Sequence, residues 1–341
     1  MLNSQAFHIP ANDPNIAFRG VLYPIKSADS VVLNRHSLDF FQKTVGYFVS
    51  KKGRDQAGIV VSFKTASPTL QVDLKKRVDT EHNSPFFAVY KNHVFQGLQS
   101  TLPLKLSSGS TLPTNWDIVL PRMFGVHFTG LELEVGFTTL ALEPESKKQY
   151  IAIGNSITHG TGQMNCASDA TYPYILADKM GWRMYNLAVA GSKVTPLIAE
   201  QTTVIKADII TILWGFNDWN TNESMVKLGL NYKTLISKLR DYQPNAEIYC
   251  IMPITTTKST PMYGAPIYSS IDTLRNTERR VVKSIIATGE KKMFLIEGSE
   301  LTTASDLFDG IHLNNAGAAS FAQKLVDVIR RNKLNSMYEK K

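Results

Sequence analysis

The stretch Gln149–Gly162, QYIAIGNSITHGTG, decides how the chain is read. A short apolar run, Tyr150 to Ile153, meets Gly154, and a serine, a threonine and a histidine follow before the next glycine. An apolar burst closed by glycine is the pattern of a buried strand ending in a tight turn, and small polar residues after it open a helix. Ser156 is therefore predicted to stand where a strand meets a helix. There Gly154 permits the tight backbone, and helix-start N–H groups favour developing negative charge.

The same grammar repeats after this stretch. Apolar bursts alternate with stretches of helical period: YIAIG with TYPYILADKM, MYNLAV with VTPLIAEQ, ADIITILWG with SMVKLGLNYKTLISKLRDY, EIYCIMPI with SIDTLRNTERRVVKSIIATG, and KMFLIEG with NNAGAASFAQKLVDVIRRN. Such β/α units predict an α/β fold, a parallel sheet with helices on both faces. Before the stretch the pattern differs. Between Val31 and Val135 short runs such as GIVVSFKT, TLQVDLK and FFAVYKNHVFQG are punctuated by SP, SSGS and LPTN, the mark of an antiparallel β-sandwich. SLDFFQKTVGYF fits a turn or two of helix or another strand. With 341 residues, two domains are expected, a sandwich over residues 1–146 and an α/β domain over 147–341.

Composition narrows the function classes. The chain is 43% hydrophobic and 19% charged, as in ordinary globular proteins. No apolar run approaches the roughly 20 residues of a membrane span. The opening MLNSQAFHIPANDP lacks a signal-peptide pattern, which leaves the compartment open, including export with a signal since removed. Two cysteines, Cys166 and Cys250, exclude a disulfide framework and a cysteine-based zinc site, and Cys250 within EIYCIMPI reads as a small buried hydrophobe. The net charge of +8 is scattered over separated lysine pairs and KKR at Lys75–Arg77 without interleaved aromatics. A solvated basic surface is expected, and no nucleic-acid partner. His8, His36, His82, His93 and His127 show neither HxH nor HExxH spacing, and no phosphate-binding loop or dinucleotide fingerprint occurs, so no metal and no cofactor are expected.

In open parallel sheets, sites form at the carboxyl ends of the strands. Those ends carry GNSITHG with Ser156, NLAVAGS with Gly191, WGFNDWN with Asn217 and Asp218, and DLFDGIHLNNAG with Asp309 and His312. Singly, each has a plain explanation as a turn, a cap or a surface histidine. Together they bring a nucleophile, a base with an orienting acid, and oxyanion donors to one edge of one sheet.

The order GNS, AGS, GFND, DGIH resembles the four sequence blocks of the SGNH (GDSL-type) hydrolases, over roughly Tyr150 to Asn332. A preceding sandwich, of jelly-roll type, is similar to that of certain two-domain bacterial carbohydrate esterases. The resemblance implies a three-layer α/β/α domain with Ser156 as nucleophile, His312 as general base and Asp309 as its orienting acid. It also implies an oxyanion hole of the Ser156 and Gly191 N–H groups and the Asn217 amide. Asn155 stands where the family usually has aspartate; it preserves hydrogen bonding while losing a charge. His159 lacks a partnered acid in sequence and is expected to line the pocket, with Asn155, Asp218 and Trp219. Thr158 is expected at the helix start.

Ester hydrolysis follows from the resemblance. Trp214, Trp219, Tyr263 and Tyr268 offer flat surfaces of the kind that stack on sugars, with core packing the simpler role for Trp214. TTTKSTPMYGAPIYSS could shape the pocket, and no apolar lid segment is seen. The expected substrate is a small acyl group, acetyl first, on a carbohydrate, either a small molecule or a polysaccharide. Alternatives are a non-catalytic carbohydrate-binding relative, and an acyltransferase, thioesterase or lysophospholipase using the same triad.

Overall fold

The computed structural model describes residues 6–81, 85–263 and 270–338. His82 and Tyr268 lie outside the described residues. The chain divides into two compact units. One holds the residues up to Ser37, Ser50–Ser146 and Asn165–Asp169; the other holds Leu38–Val49, Lys147–Met164 and the chain from Ala170 onward.

The first unit is built from β1 (Ala6–Pro10), β2 (Ala17–Arg19), β3 (Tyr23–Lys26), β4 (Val31–Asn34), β5 (Val60–Thr65), β6 (Thr69–Lys76), β7 (Phe87–Lys91), β8 (Val94–Gln99), β9 (Leu104–Ser107), β10 (Thr114–Val119), β11 (Val126–Glu134) and β12 (Thr139–Leu140). One sheet runs β3-β4-β11-β6-β9, with β1 also on β11; the other runs β12-β5-β10-β7-β8, with β2 on β5. All of these pairings are antiparallel. Strict alternation makes the core: Leu70, Val72 and Leu74 of β6 point inward while Thr69, Gln71 and Asp73 are half-exposed. They pack with Phe63, Phe87, Trp116, Ile118 and Phe128 in one buried cluster.

Two segments cross the linear boundary read from the sequence. The stretch SLDFFQKTVGYF contains α1 (Phe40–Lys43), and Phe40, Phe48 and Trp214 form a chain of edge-on aromatic contacts within the second unit. In return, the Ser168 hydroxyl donates to Leu120 O at 2.6 Å and the Tyr90 hydroxyl to Asp169 at 2.7 Å, within the first unit. The one-turn α2 (Ser50–Gly53) also belongs there.

The second unit carries a five-stranded parallel sheet of β13 (Gln149–Gly154), β14 (Arg183–Asn186), β15 (Ile209–Leu213), β16 (Glu247–Ile251) and β17 (Met293–Ile296), in the order β14-β13-β15-β16-β17. Its helices are α3 (Ser156–His159), α4 (Tyr172–Met180), α5 (Phe216–Asn220), α6 (Met225–Tyr242), α7 (Ile271–Ile286) and α8 (Asn315–Tyr338). The expected helix over VTPLIAEQ is a 3-10 segment, Pro196–Thr202, started by a Thr195 cap and a proline at its first position.

Because the strands are buried on both faces they read as continuous apolar runs. Tyr150, Ala152, Tyr249 and Ile251 join Leu176 of α4 and Phe321 and Leu325 of α8 in one cluster. Cys250, on the opposite face of β16, meets Tyr232 of α6 and is fully buried, which pushes its thiol up to about 12. That is the environment expected of Cys250. Both cysteines are free.

Candidate active site

β13 runs without a break into the turn that carries Ser156. Asn155 is the N-cap of α3, its side-chain oxygen accepting the Ile157 N–H at 3.1 Å. A one-turn helix starting immediately after a strand holds Ser156 at the sheet edge, 7% exposed. The Ser156 hydroxyl lies 2.8 Å from His312 Nε2. His312 Nδ1 lies 2.7 Å from Asp309 Oδ2. Since an ionised carboxylate only accepts, Nδ1 carries the proton, and Nε2 is left to accept from the serine.

Asp309 is held by its own loop: its Oδ1 accepts the Ile311 and His312 backbone N–H groups at 3.0 and 2.9 Å. Partial burial pushes this carboxyl up, but the His312 and Ile311 hydrogen bonds and the imidazole outweigh it and hold it below its ordinary range. The loop stands opposite Gly162, at φ +97, where a Cβ would come within 2.7 Å of His312 Cβ and 2.6 Å of Leu313 O. Gln163 Nε2 donates to the same Leu313 oxygen at 2.7 Å. The segment after Ser156 thus braces the segment that carries His312.

Gly191 follows β14, at φ +83. Among the described residues, nothing accepts from the backbone N–H groups of Ser156 and Gly191. Asn217, in α5, donates one Nδ2 hydrogen to Ser192 O at 2.8 Å. Three N–H donors, none carrying a charge, are therefore supplied by three loops following β13, β14 and β15.

Ser192, which motif reasoning passed over, ties these loops together. Its carbonyl accepts from Asn217 and from Trp214 Nε1, and its hydroxyl contacts Gly154 O and Trp214 Nε1. The only signal for it was its place as the last letter of AGS. Gln163 had no sequence signal at all.

The four expected pocket residues need correction. His159 is fully buried, and its Nδ1 accepts the Ala190 N–H at 3.1 Å, fixing the loop before Gly191. Asp218 is buried with its carboxylate on the Val194 N–H at 3.1 Å. Trp219 is 0% exposed and packs on Phe216, and Asn155 is 1% exposed in its capping role. All four are buried, each held by partners within the loops or helices that carry the site. Thr158 lies in the single turn of α3, as expected of a helix-start residue, and is buried, bonded to the Tyr172 hydroxyl at 2.8 Å. Trp214 is buried as core, whereas Tyr263 is 60% exposed.

Among the described residues one group has the spacing of metal ligands: His8, Asp73 and Glu132, on adjacent strands β1, β6 and β11 of the first unit. His8 Nδ1 is bonded to Glu132 at 2.7 Å, and the group shares no residue with the Ser156–His312–Asp309 series. Spacing rules could not foresee it, since it joins three distant positions.

A serine hydroxyl, an imidazole and a carboxylate thus stand in series at 2.8 and 2.7 Å, an arrangement of the kind serine hydrolases use. Residues 152–319 match the family model described as the GDSL-like Lipase/Acylhydrolase family. These residues form a GDSL-like lipase/acylhydrolase domain. That domain is classed with the carboxylic ester hydrolases, and it is the α/β unit of a two-domain layout.

No curated protein matches the sequence closely enough to count as a relative. Solved structures do match its fold. The salicylyl-acyltransferase SsfX3 from a tetracycline biosynthetic pathway is 17% identical with a TM-score of 0.77, over 93% of this chain and 95% of its own. A family two carbohydrate esterase from Clostridium thermocellum, in complex with cellohexaose, is 20% identical with a TM-score of 0.65, over 82% and 94%. The acetyl xylan esterase Est2A from Butyrivibrio proteoclasticus is 16% identical with a TM-score of 0.67, over 97% and 99%.

Proposed function

We propose that this GDSL-like hydrolase is a serine esterase that removes short acyl groups, acetyl first, from carbohydrate hydroxyls. The observation that carries the reading is the unbroken series Ser156 Oγ, His312 Nε2, His312 Nδ1, Asp309 Oδ2 at 2.8 and 2.7 Å. A serine hydroxyl is a weak nucleophile at neutral pH, and a base within hydrogen-bond reach contributes about 10²- to 10⁴-fold.

In the proposed cycle, Ser156 Oγ attacks the ester carbonyl carbon while its proton passes to His312 Nε2. The carbonyl electrons become an oxyanion received by the Ser156 and Gly191 N–H groups and the free Nδ2 hydrogen of Asn217. Collapse breaks the bond to the sugar oxygen, which takes the proton from His312, and leaves acyl-Ser156. Water then attacks, gives its proton to His312 Nε2, and the carboxylic acid departs as Ser156 recovers its hydrogen. Asp309 stabilises the imidazolium in each half.

The carbohydrate preference is supported by the fold likeness to two carbohydrate esterases and by exposed Tyr263, a flat surface on the loop following β16. Hydrolysis of 4-nitrophenyl acetate, butyrate and octanoate by wild type and Ser156→Ala, then acetate release from acetylated xylan, tests it. Acetate-preferring turnover that vanishes in the variant is expected; turnover that survives in the variant would remove Ser156 as nucleophile, and no turnover at all would replace the hydrolase reading by a binding module. A second reading, acyl transfer to a hydroxyl acceptor, is favoured by the fold likeness to an acyltransferase. Adding free sugar during acyl-ester turnover separates the two, because transfer yields acylated sugar in place of free acid.

A further inference from the structure

The turn carrying Asn217 rests on a carboxyl group that meets no cation among the described residues. Glu278, on α7, is 0% exposed, and among the described residues neither of its oxygens has a hydrogen-bond partner. It lies directly against Gly215, the N-cap of α5: a Cβ there would sit 2.2 Å from Glu278 Oε1 and 3.0 Å from Leu274 Cδ1. Gly215 is at φ +93, so both its conformation and this contact require glycine. Asn217 comes two residues later.

The ionisable groups around Glu278 are Asp218, on α5, the Tyr232 hydroxyl, on α6, and the Cys250 thiol, on β16, which meets that hydroxyl. None of them offers a positive charge. Burial first, then the neighbouring Asp218, push the Glu278 carboxyl well above its ordinary range, while Asp218 itself is pushed up to about 7. A buried carboxylate without a cation or a donor is costly, and the group neutralises instead.

We propose that Glu278 is a positioning residue, a neutral carboxyl that supports the Gly215–Asn217 turn and thereby aims the Asn217 amide, and that its ionisation at alkaline pH releases the turn and stops turnover. It touches no substrate. When its proton leaves, the new charge faces Asp218 in a dry interior, and relief comes only by hydration, which requires the packed turn to part from α7. The activity arm rests on the esterase reading above.

The first experiment is the pH dependence of kcat and KM for 4-nitrophenyl acetate in wild type and Glu278→Gln. Wild type is expected to lose kcat on the alkaline side, about tenfold per pH unit beyond the midpoint, with KM steady. Glu278→Gln, which stays neutral, is expected to keep kcat to higher pH. An alkaline limb unchanged in the variant, or a loss of kcat uniform across pH, overturns the inference. Glu278→Met, apolar and of similar length, repeats the comparison should the amide disturb folding.

Infrared difference spectra of wild type provide a reading that needs no turnover. A protonated carboxyl band absent from Glu278→Gln and Glu278→Met should persist at neutral pH and vanish at alkaline pH. Its absence at neutral pH overturns the inference whether or not the chain hydrolyses esters. A chain with the band but no Ser156-dependent turnover would fail as an esterase while keeping its neutral Glu278.

Discussion

His312 Nε2 lies 2.8 Å from Ser156 Oγ, although the two residues are 156 positions apart. One sits on the turn after β13 and the other on the loop before α8, so their meeting is a property of the sheet edge. Removing either end should abolish chemistry without unfolding the chain. Ser156→Ala and His312→Ala are expected to lower kcat by about 10⁴- to 10⁶-fold. Unfolding midpoints within a few degrees of wild type, by circular dichroism, would show that the loss is chemical.

Asp309→Asn tests the second contact. The amide can turn a donor toward Nδ1 and favour the wrong tautomer, so a loss of about 10²- to 10⁴-fold in kcat is expected. Since Asp309 is held below its ordinary value of 3.8, its contribution to stability is present above that value and lost as pH falls through the lowered one. Unfolding of wild type and Asp309→Asn should therefore converge only in strong acid. A difference that disappeared already at pH 6 would contradict this.

Asn217→Ala removes the proposed side-chain oxyanion donor together with its bond to Ser192 O. A donor used mainly in the transition state shows in kcat, here by about 10²- to 10³-fold, with KM little changed. Steady-state kinetics on 4-nitrophenyl acetate would decide. An equal effect on KM would mean that Asn217 binds the ground state instead.

Much of this was legible in the sequence. The strands after Gln149 are buried on both faces and therefore appear as apolar runs, and Ser156, Gly191, Asn217, Asp309 and His312 each follow such a run or close the last loop. Burial of individual side chains was not legible. His159 reads as a pocket residue for want of a partnered acid and Trp219 as a flat surface, yet both are buried, Trp219 against Phe216 of its own helix and His159 by accepting the Ala190 N–H from the loop after β14. Ser192, Gln163 and Glu278 were missed for a related reason: their roles depend on partners in other loops or helices, and no local spacing encodes such a meeting. The exchange of Leu38–Val49 into the second unit was hidden similarly, its aromatics fitting strand or helix until Trp214 supplied a partner.

Gly162→Ala probes the brace under the base. The added methyl would stand 2.7 Å from His312 Cβ, and φ +97 is unfavourable for alanine. The site must shift, and a loss of about 1–3 kcal/mol in stability is expected, with kcat reduced at least tenfold as the 2.8 Å contact opens. Chemical denaturation and kinetics on the same preparation would test it. Unchanged kcat would show that the His312 loop moves as a rigid piece and that Gly162 does not position it.

Asp218→Asn separates scaffolding from charge. Burial drives the Asp218 carboxyl up from 3.8 to about 7, outweighing the Val194 N–H and nearby Lys193. A group whose value is raised on folding favours the folded state fully only below its unfolded value, and that advantage is lost as pH rises toward the folded value. Wild type should therefore surrender stability between about pH 4 and 7 on this account. Asparagine keeps an oxygen for the Val194 N–H and does not ionise, so the variant should gain relative to wild type across that interval and level off above it. The gain should lie within about 1 to 4 kcal/mol, the upper end being the full shift at about 1.36 kcal/mol per pH unit. Urea unfolding at pH 5 and pH 8 would measure it. Parallel curves would mean that Asp218 titrates as an exposed acid does, and that it holds the loop after β14 as a carboxylate throughout.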